Sequence, residues 1–333
     1  MHARLKIPVI PAAFFGMVLG LAGLAGSWRA AHQAWGLPAV IGEGIAFLAI
    51  GVWAILIILY ALKWVFARAA LLDEAAHAIQ CCFIGLIGTA TMLVAGLINP
   101  YAHFVAVAIF LIGVAFTFGF AIWRTGGLWQ GERDHAATTP VLYLPTVAGS
   151  FVATTVGSAL GFQDWAQLAF GAGLFSWLAI ESVLLHRLLT APKLAAALRP
   201  TLGIQLAPPS VGAVAYLSAG SGAPDMIVHA MIGYGLLQAL LMIRLIGWIR
   251  EQPFAPSYWA FTFGATALAT GPIRLVAKGD TGAIATLAPV LFAGANLLVA
   301  IVAIGTIALI FKRKLVEKVI VVPAEPVVAP KAA

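Results

Sequence analysis

Residues 40–66 read VIGEGIAFLAIGVWAILIILYALKWVF. One carboxylate, Glu43, stands near the start and one amine, Lys63, near the end, with no charge on residues 44–62 between them. Wound as an α-helix, this stretch is about 40 Å long, more than the roughly 30 Å of a bilayer's hydrocarbon. Backbone groups in lipid have no water to bond, so an uncharged run of this length reads as a membrane-spanning helix.

Working outward, nine further stretches have the same character: 10–28, 81–98, 102–123, 141–160, 165–188, 201–219, 225–249, 257–276 and 283–311. The composition agrees. The chain is 62% hydrophobic and 9% charged, with a mean hydropathy of +1.01. Soluble domains carry about 25% charged residues. The expectation is an all-α integral membrane protein, with ten transmembrane helices over residues 1–311. A basic, then Pro/Val/Ala-rich tail over 312–333 is expected to be disordered. A soluble enzyme and a nucleic-acid binder are excluded. The net charge of +7 has another explanation.

That explanation is topology. Numbering the spans 1 to 10, fourteen of the nineteen Lys and Arg fall at the termini or in the links after even spans. Three, Arg29, Arg274 and Lys278, fall on the other side. Basic residues stay in the cytoplasm, so both termini are expected there, in a bacterial inner membrane. Arg4 and Lys6 before an apolar run could open a signal peptide. Pro8, Pro11 and the length of the run favour a retained first span instead.

Odd and even spans differ. Odd spans are short and interrupted, by Pro8 and Pro11, Gly85 and Gly88, Pro140 and Pro145, Pro208 and Pro209, and Pro256. Spans 2, 8 and 10 are longer and continuous. This predicts five helical hairpins, one odd and one even span in each. A helical proline frees a carbonyl, which is tolerated where protein or water surrounds it. Odd helices then belong around a central pore and even helices outside. Read alone, the prolines are equally the ordinary kinks of membrane helices.

Certain motifs resemble a known family. They are Phe14-Phe15-Gly16-Met17-Val18-Leu19-Gly20-Leu21, Leu128-Trp129-Gln130-Gly131, Tyr143-Leu144-Pro145 with Phe151, and Phe170-Gly171-Ala172-Gly173 with Glu181. Thr201-Leu202-Gly203-Ile204-Gln205-Leu206-Ala207-Pro208, Gly233-Tyr234-Gly235 with Arg244 and Trp248, and Trp259-Ala260-Phe261-Thr262-Phe263-Gly264 complete the series. Together they resemble the tellurite-resistance/dicarboxylate transporter family of TehA-type bacterial proteins and plant guard-cell slow-type anion channels. The likeness runs over about residues 8–311. It implies ten helices as five hairpins in a quasi-fivefold ring around a central pore, and a homotrimer. It also implies permeation of small anions: chloride, nitrate, or C4-dicarboxylates such as malate, with tellurite resistance as a phenotype. Phe263 is then the gate that occludes the pore. Phe15 and Phe151 fall at pore-facing positions, and Phe261, Pro145 and Pro208 are expected to line the pore with them. Span 3 offers no such match at Gly85–Met92.

Other residues have plainer readings. Glu181 and Arg244 lie near the same ends of spans 6 and 8, and intramembrane charges are usually paired. A structural ion pair is expected. Glu43 and Lys63 read as interfacial. The adjacent Cys81 and Cys82 read as small apolar fillers, and several tryptophans as an interfacial belt. The seven His have no facing arrangement for haem, and no metal, nucleotide or hydrolase motif occurs. No cofactor and no nucleic-acid partner are expected. The leading expectation is a passive anion channel; the alternative is a proton-coupled C4-dicarboxylate transporter.

Overall fold

The computed structural model describes residues 6–131, 133–220, 224–316 and 319–321. Eleven α-helices are present among them. They are α1 (Phe15–Trp35), α2 (Ala39–Phe66), α3 (Arg68–Ala76), α4 (Gly85–Ile98), α5 (His103–Leu128), α6 (Gly149–Ala159), α7 (Gln163–Thr190), α8 (Ala207–Ala219), α9 (Met226–Ile249), α10 (Thr262–Ala277) and α11 (Ala283–Phe311). The helix α3 is a nine-residue link between the second and third spans. The only strands among the described residues are β1 (Lys6–Pro8) and β2 (Val319–Val321), which pair antiparallel. That pairing draws part of the tail back to the N-terminal segment. Residues 322–333 of the tail lie outside the described residues.

Five helices, α1, α4, α6, α8 and α10, share one construction. Each is led in by a tighter segment: 3-10 turns at Ala12–Phe14, Gln80–Ile84, Pro140–Leu142, Ala196–Leu206 and Pro256–Phe261. Before α6 a π-turn over Leu144–Ala148 follows. Proline explains much of this. It fixes φ and lacks an N–H, so it suits the first turn, where that N–H has no partner in any case. Pro140, Pro256 and Pro208 stand at such positions.

Burial separates the two helix sets. In the most apolar 18-residue stretch of the spans containing α1, α4, α6 and α10, 67–72% of residues are buried; in that of α2, α5, α7, α9 and α11 the share is 17–33%. Nine of these helices are long and apolar enough to cross a membrane. The segment Ala196–Ala219, which contains the expected span 7 (201–219), is not among the nine. It carries Arg199, Thr201, Gln205 and Ser210, yet every residue from Pro200 to Leu206 is buried. Enclosed by protein, it meets little lipid and does not need a fully apolar surface.

Contacts order these helices. Each of α1, α4, α6, α8 and α10 packs on the outer helix that follows it. Among themselves, α1 packs on α4, α4 on α6, α6 on α8, α8 on α10 and α10 on α1. Small residues allow these approaches, as in membrane bundles generally. A Cβ on Gly264 would fall 2.8 Å from the Ala207 nitrogen, so only glycine lets α10 sit this close to α8.

Candidate functional site

The five lead-in segments surround a cavity of about 950 Å³. Every inner helix contributes to its wall, and every contribution comes from the helix's N-terminal part. The end of the molecule where these helices begin is called proximal here, the other distal. The deepest lining residue on each inner helix is apolar: Leu19, Leu86, Phe151, Val211 and Phe263. No residue further along any of them borders the space. The cavity therefore ends at an apolar girdle, to which α6 and α10 give aromatic rings. Phe263 is only half-buried, whereas the Phe151 ring is fully enclosed between Gly173, Gly212 and Phe170.

The expected pore residues divide accordingly. Phe263, Phe151 and Pro208 border the cavity. Phe15, Phe261 and Pro145 do not. Phe15 is fully buried and turned outward, with its ring edge-on to Tyr60 of α2 at 6.1 Å. Its neighbour Phe14 faces the space instead. Successive helical residues differ by about 100°, so a one-residue shift moves a side chain from pore to packing. Phe261 lies on Gly203, where a Cβ would come within 2.6 Å of its ring, and stacks with Tyr258.

At the proximal mouth, Lys63 and Glu74 form a buried ion pair, Nζ to Oε2 at 2.6 Å. Glu74 also accepts from the Tyr60 hydroxyl at 3.1 Å and, through Oε1, from the Ala12 amide at 2.8 Å. Lys63 donates to the Ile10 carbonyl at 3.1 Å. The pair thus ties the end of α2 and the link α3 to the lead-in of α1. Lys63 is 3% exposed, not the interfacial residue expected. Sequence reading missed Glu74. The available signal was a carboxylate eleven positions after a membrane-embedded lysine. Asp73, His77 and Lys314 also border the cavity there.

Glu181 is buried, but not with Arg244. Its Oε2 accepts from the Tyr143 hydroxyl and from Trp177 Nε1 at 2.8 Å. Its Oε1 accepts from the Tyr234 hydroxyl at 2.6 Å, Gln205 Nε2 at 3.2 Å and Gln238 Nε2 at 3.4 Å. Five uncharged donors from the segments leading into α6 and α8, and from α7 and α9, satisfy its two oxygens. Arg244 is exposed on the outer surface of α9. The expected ion pair is replaced by a donor cage, because helical phase turns the two side chains to different faces. Tyr143 also borders the cavity, so the cage braces its wall.

At the distal end, Glu43 is taken by Arg29, whose Nε and Nη2 reach its two oxygens at 2.8 and 2.7 Å. Arg274 donates to Ser218 Oγ at 2.9 Å. Cys81 and Cys82 are buried free thiols. Trp64, Trp123 and Trp165 are exposed in the manner of a belt. Trp28 instead donates to Asn296 and packs on Phe292.

Comparison with known proteins follows this geometry. Residues 10–307 match the model of the SLAC1 family, described as voltage-dependent anion channel. A protein named as a tellurite resistance protein TehA homolog, from Haemophilus influenzae, is 33% identical over 261 residues, 78% of this chain and 79% of that protein. The S-type anion channel SLAH3 and the guard cell S-type anion channel SLAC1, both of Arabidopsis thaliana, are 24% and 23% identical. Each of those alignments spans 79% of this chain, but only 42% and 49% of the plant proteins.

Proposed function

The chain belongs to the voltage-dependent anion channel family, and from that premise we propose that it is a passive channel for small anions, closed by Phe263. The inner helices α1, α4, α6, α8 and α10 form a quasi-fivefold ring of five hairpins around the pore, with α2, α5, α7, α9 and α11 facing lipid. The observation that carries this reading is the cavity bordered by all five inner helices and ending at an apolar girdle with a half-buried phenylalanine. The cyclic order of inner-helix contacts supports the ring.

The geometry suggests how conduction works. Five parallel helices turn their N-terminal ends toward the cavity, where the partial positive charge of the helix dipole favours anions. Lys63, the buried lysine on the wall among the described residues, is already paired with Glu74. An anion therefore meets a favourable potential without a strong fixed site, so chloride, nitrate and malate enter with little discrimination. The girdle then stops them, since a narrow apolar constriction expels water and the ions that need it. Rotating Phe263 toward the wall opens the path. The proximal end faces the cytoplasm with both termini, and the protein assembles as a homotrimer in the inner membrane.

One observation favours the second reading, a proton-coupled C4-dicarboxylate carrier: Glu74 is a carboxylate on the cavity wall. Reconstituted vesicles decide between them. A channel passes chloride and malate only down their own gradients. A carrier accumulates malate against its gradient when a proton gradient is imposed, and loses that accumulation in Glu74→Gln.

A further inference from the structure

Gly16, Gly20, Gly23 and Ser27 recur at spacings of four, three and four residues, which places them on one face of α1. The helix α10 lies against that face. An ideal Cβ on Gly20 would fall 2.2 Å from Thr262 Oγ1. On Gly23 it would fall 2.2 Å from Thr266 Oγ1 and 3.2 Å from Phe263 Cδ2. Distal to Gly23, Ser27 Oγ donates to the Thr266 carbonyl at 2.9 Å and lies 2.7 Å from Thr270 Oγ1. These bonds fix the turn of α10 relative to α1, and with it the direction in which Phe263 leaves the helix. Gly23 stands one turn distal to Leu19, the deepest lining residue of α1. It is therefore behind the girdle and beside the ring, not on the cavity wall.

We propose that Gly23 is a positioning residue for the gate: its missing side chain is the space that lets the Phe263 ring lie in its occluding position. The proposal rests on the reading of Phe263 as the gate. Real Cβ contacts at 3.2 Å are tight, so a methyl on residue 23 pushes the ring edge away from α1. Gly20 serves as the internal comparison. A methyl there meets a threonine hydroxyl equally closely, but the ring nearest to it is that of Trp259, at 2.9 Å, not that of Phe263.

The experiment is chloride efflux from proteoliposomes for wild type, Gly23→Ala, Gly20→Ala, Phe263→Ala and Gly23→Ala/Phe263→Ala. Off-rotamer strain of the usual size shifts a two-position side chain by roughly three- to tenfold. Gly23→Ala is accordingly expected to raise efflux by that factor, and to add nothing in the Phe263→Ala background. Gly20→Ala, which presses on Thr262 and Trp259 instead, is expected to raise efflux less than Gly23→Ala does. If Gly23→Ala does not fold, Gly23→Ala/Thr266→Ala removes the hydroxyl that the methyl meets first and keeps the ring contact. Wild-type efflux from a folded Gly23 variant, while Phe263→Ala conducts, overturns the role of Gly23 alone. So does equal opening by Gly20→Ala, or a further rise in the double variant. Silence from Phe263→Ala overturns the gate reading, and the role of Gly23 with it.

Discussion

Breaking the Lys63–Glu74 pair should be among the costliest single changes in the molecule. Nζ and Oε2 are 2.6 Å apart, which at an effective dielectric of 20 is a gross attraction of about 6 kcal/mol. Desolvation of both ions offsets much of it, so the pair as a whole adds little net stability. Removing one partner is different, because the other stays buried and charged, at a cost of about 3–5 kcal/mol. The structure ranks the two single variants. Lys63→Met leaves Glu74 with the Tyr60 hydroxyl and the Ala12 amide, so it should lie at the low end. Glu74→Ala leaves Lys63 with the Ile10 carbonyl and the face of the Tyr60 ring and strips the acceptor from Ala12, so it should lie at the high end. The neutral double variant Lys63→Met/Glu74→Gln keeps an acceptor for Ala12 and should fall within about 1–2 kcal/mol of wild type. The assay is a double-mutant cycle of unfolding in detergent. Single variants within about 0.5 kcal/mol of wild type, or a double variant as damaged as the sum of the singles, would refute the reasoning.

The Glu181 cage makes a second contrast. Glu181→Gln turns amide hydrogens toward donors that have no other acceptor, and should cost about 2–3 kcal/mol; Arg244→Ala, on the outer surface, should stay within about 0.5 kcal/mol. Equal losses in thermal unfolding would restore the ion pair. At the distal end, bonds from the Tyr216 hydroxyl and from the Val228 and Ile227 amides hold the Asp225 carboxyl below its usual range. The folded value is the lower one, so its stabilisation is present above about pH 4, the unfolded value, and is lost as pH falls through the folded value. Asp225→Asn should flatten the acid limb of a stability–pH curve, and an unchanged limb would count against this. Finally, Phe14→Ala should alter anion flux more than Phe15→Ala, because only Phe14 borders the cavity; the reverse order in vesicle efflux would move the pore wall to Phe15.

How legible this was depended on which physical signal each residue carried. Residues 40–66 announced a lipid-facing helix because lipid demands an unbroken apolar run. The segment 196–219 is harder to read, since protein surrounds it and hydropathy no longer reports its environment. The prolines of the odd spans read as interruptions; Pro140, Pro208 and Pro256 stand instead in the first turns of tight lead-ins and helices, and burial separates the odd from the even set. Phe263 and Phe151, for which the family resemblance implied a pore position, border the cavity. Phe15 does not, because motif likeness does not resolve a one-residue helical phase at a 3-10 to α junction. Glu181 was recognisable as an intramembrane charge needing partners, but not which ones. Its donors come from four separate segments, and periodicity within α7 carries no information about Tyr143 or Gln205. Glu74 escaped for the same reason, its lysine lying across the unforeseen helix α3.

The central claim is that an apolar girdle with a movable Phe263 ring closes an anion-favouring cavity. The most direct test is to record currents from purified protein in planar bilayers, wild type beside Phe263→Ala. The account predicts near silence from wild type and large currents from Phe263→Ala that reverse near the chloride equilibrium potential. Equal silence from both would remove Phe263 as the barrier, and currents reversing at the cation potential would contradict anion selectivity outright.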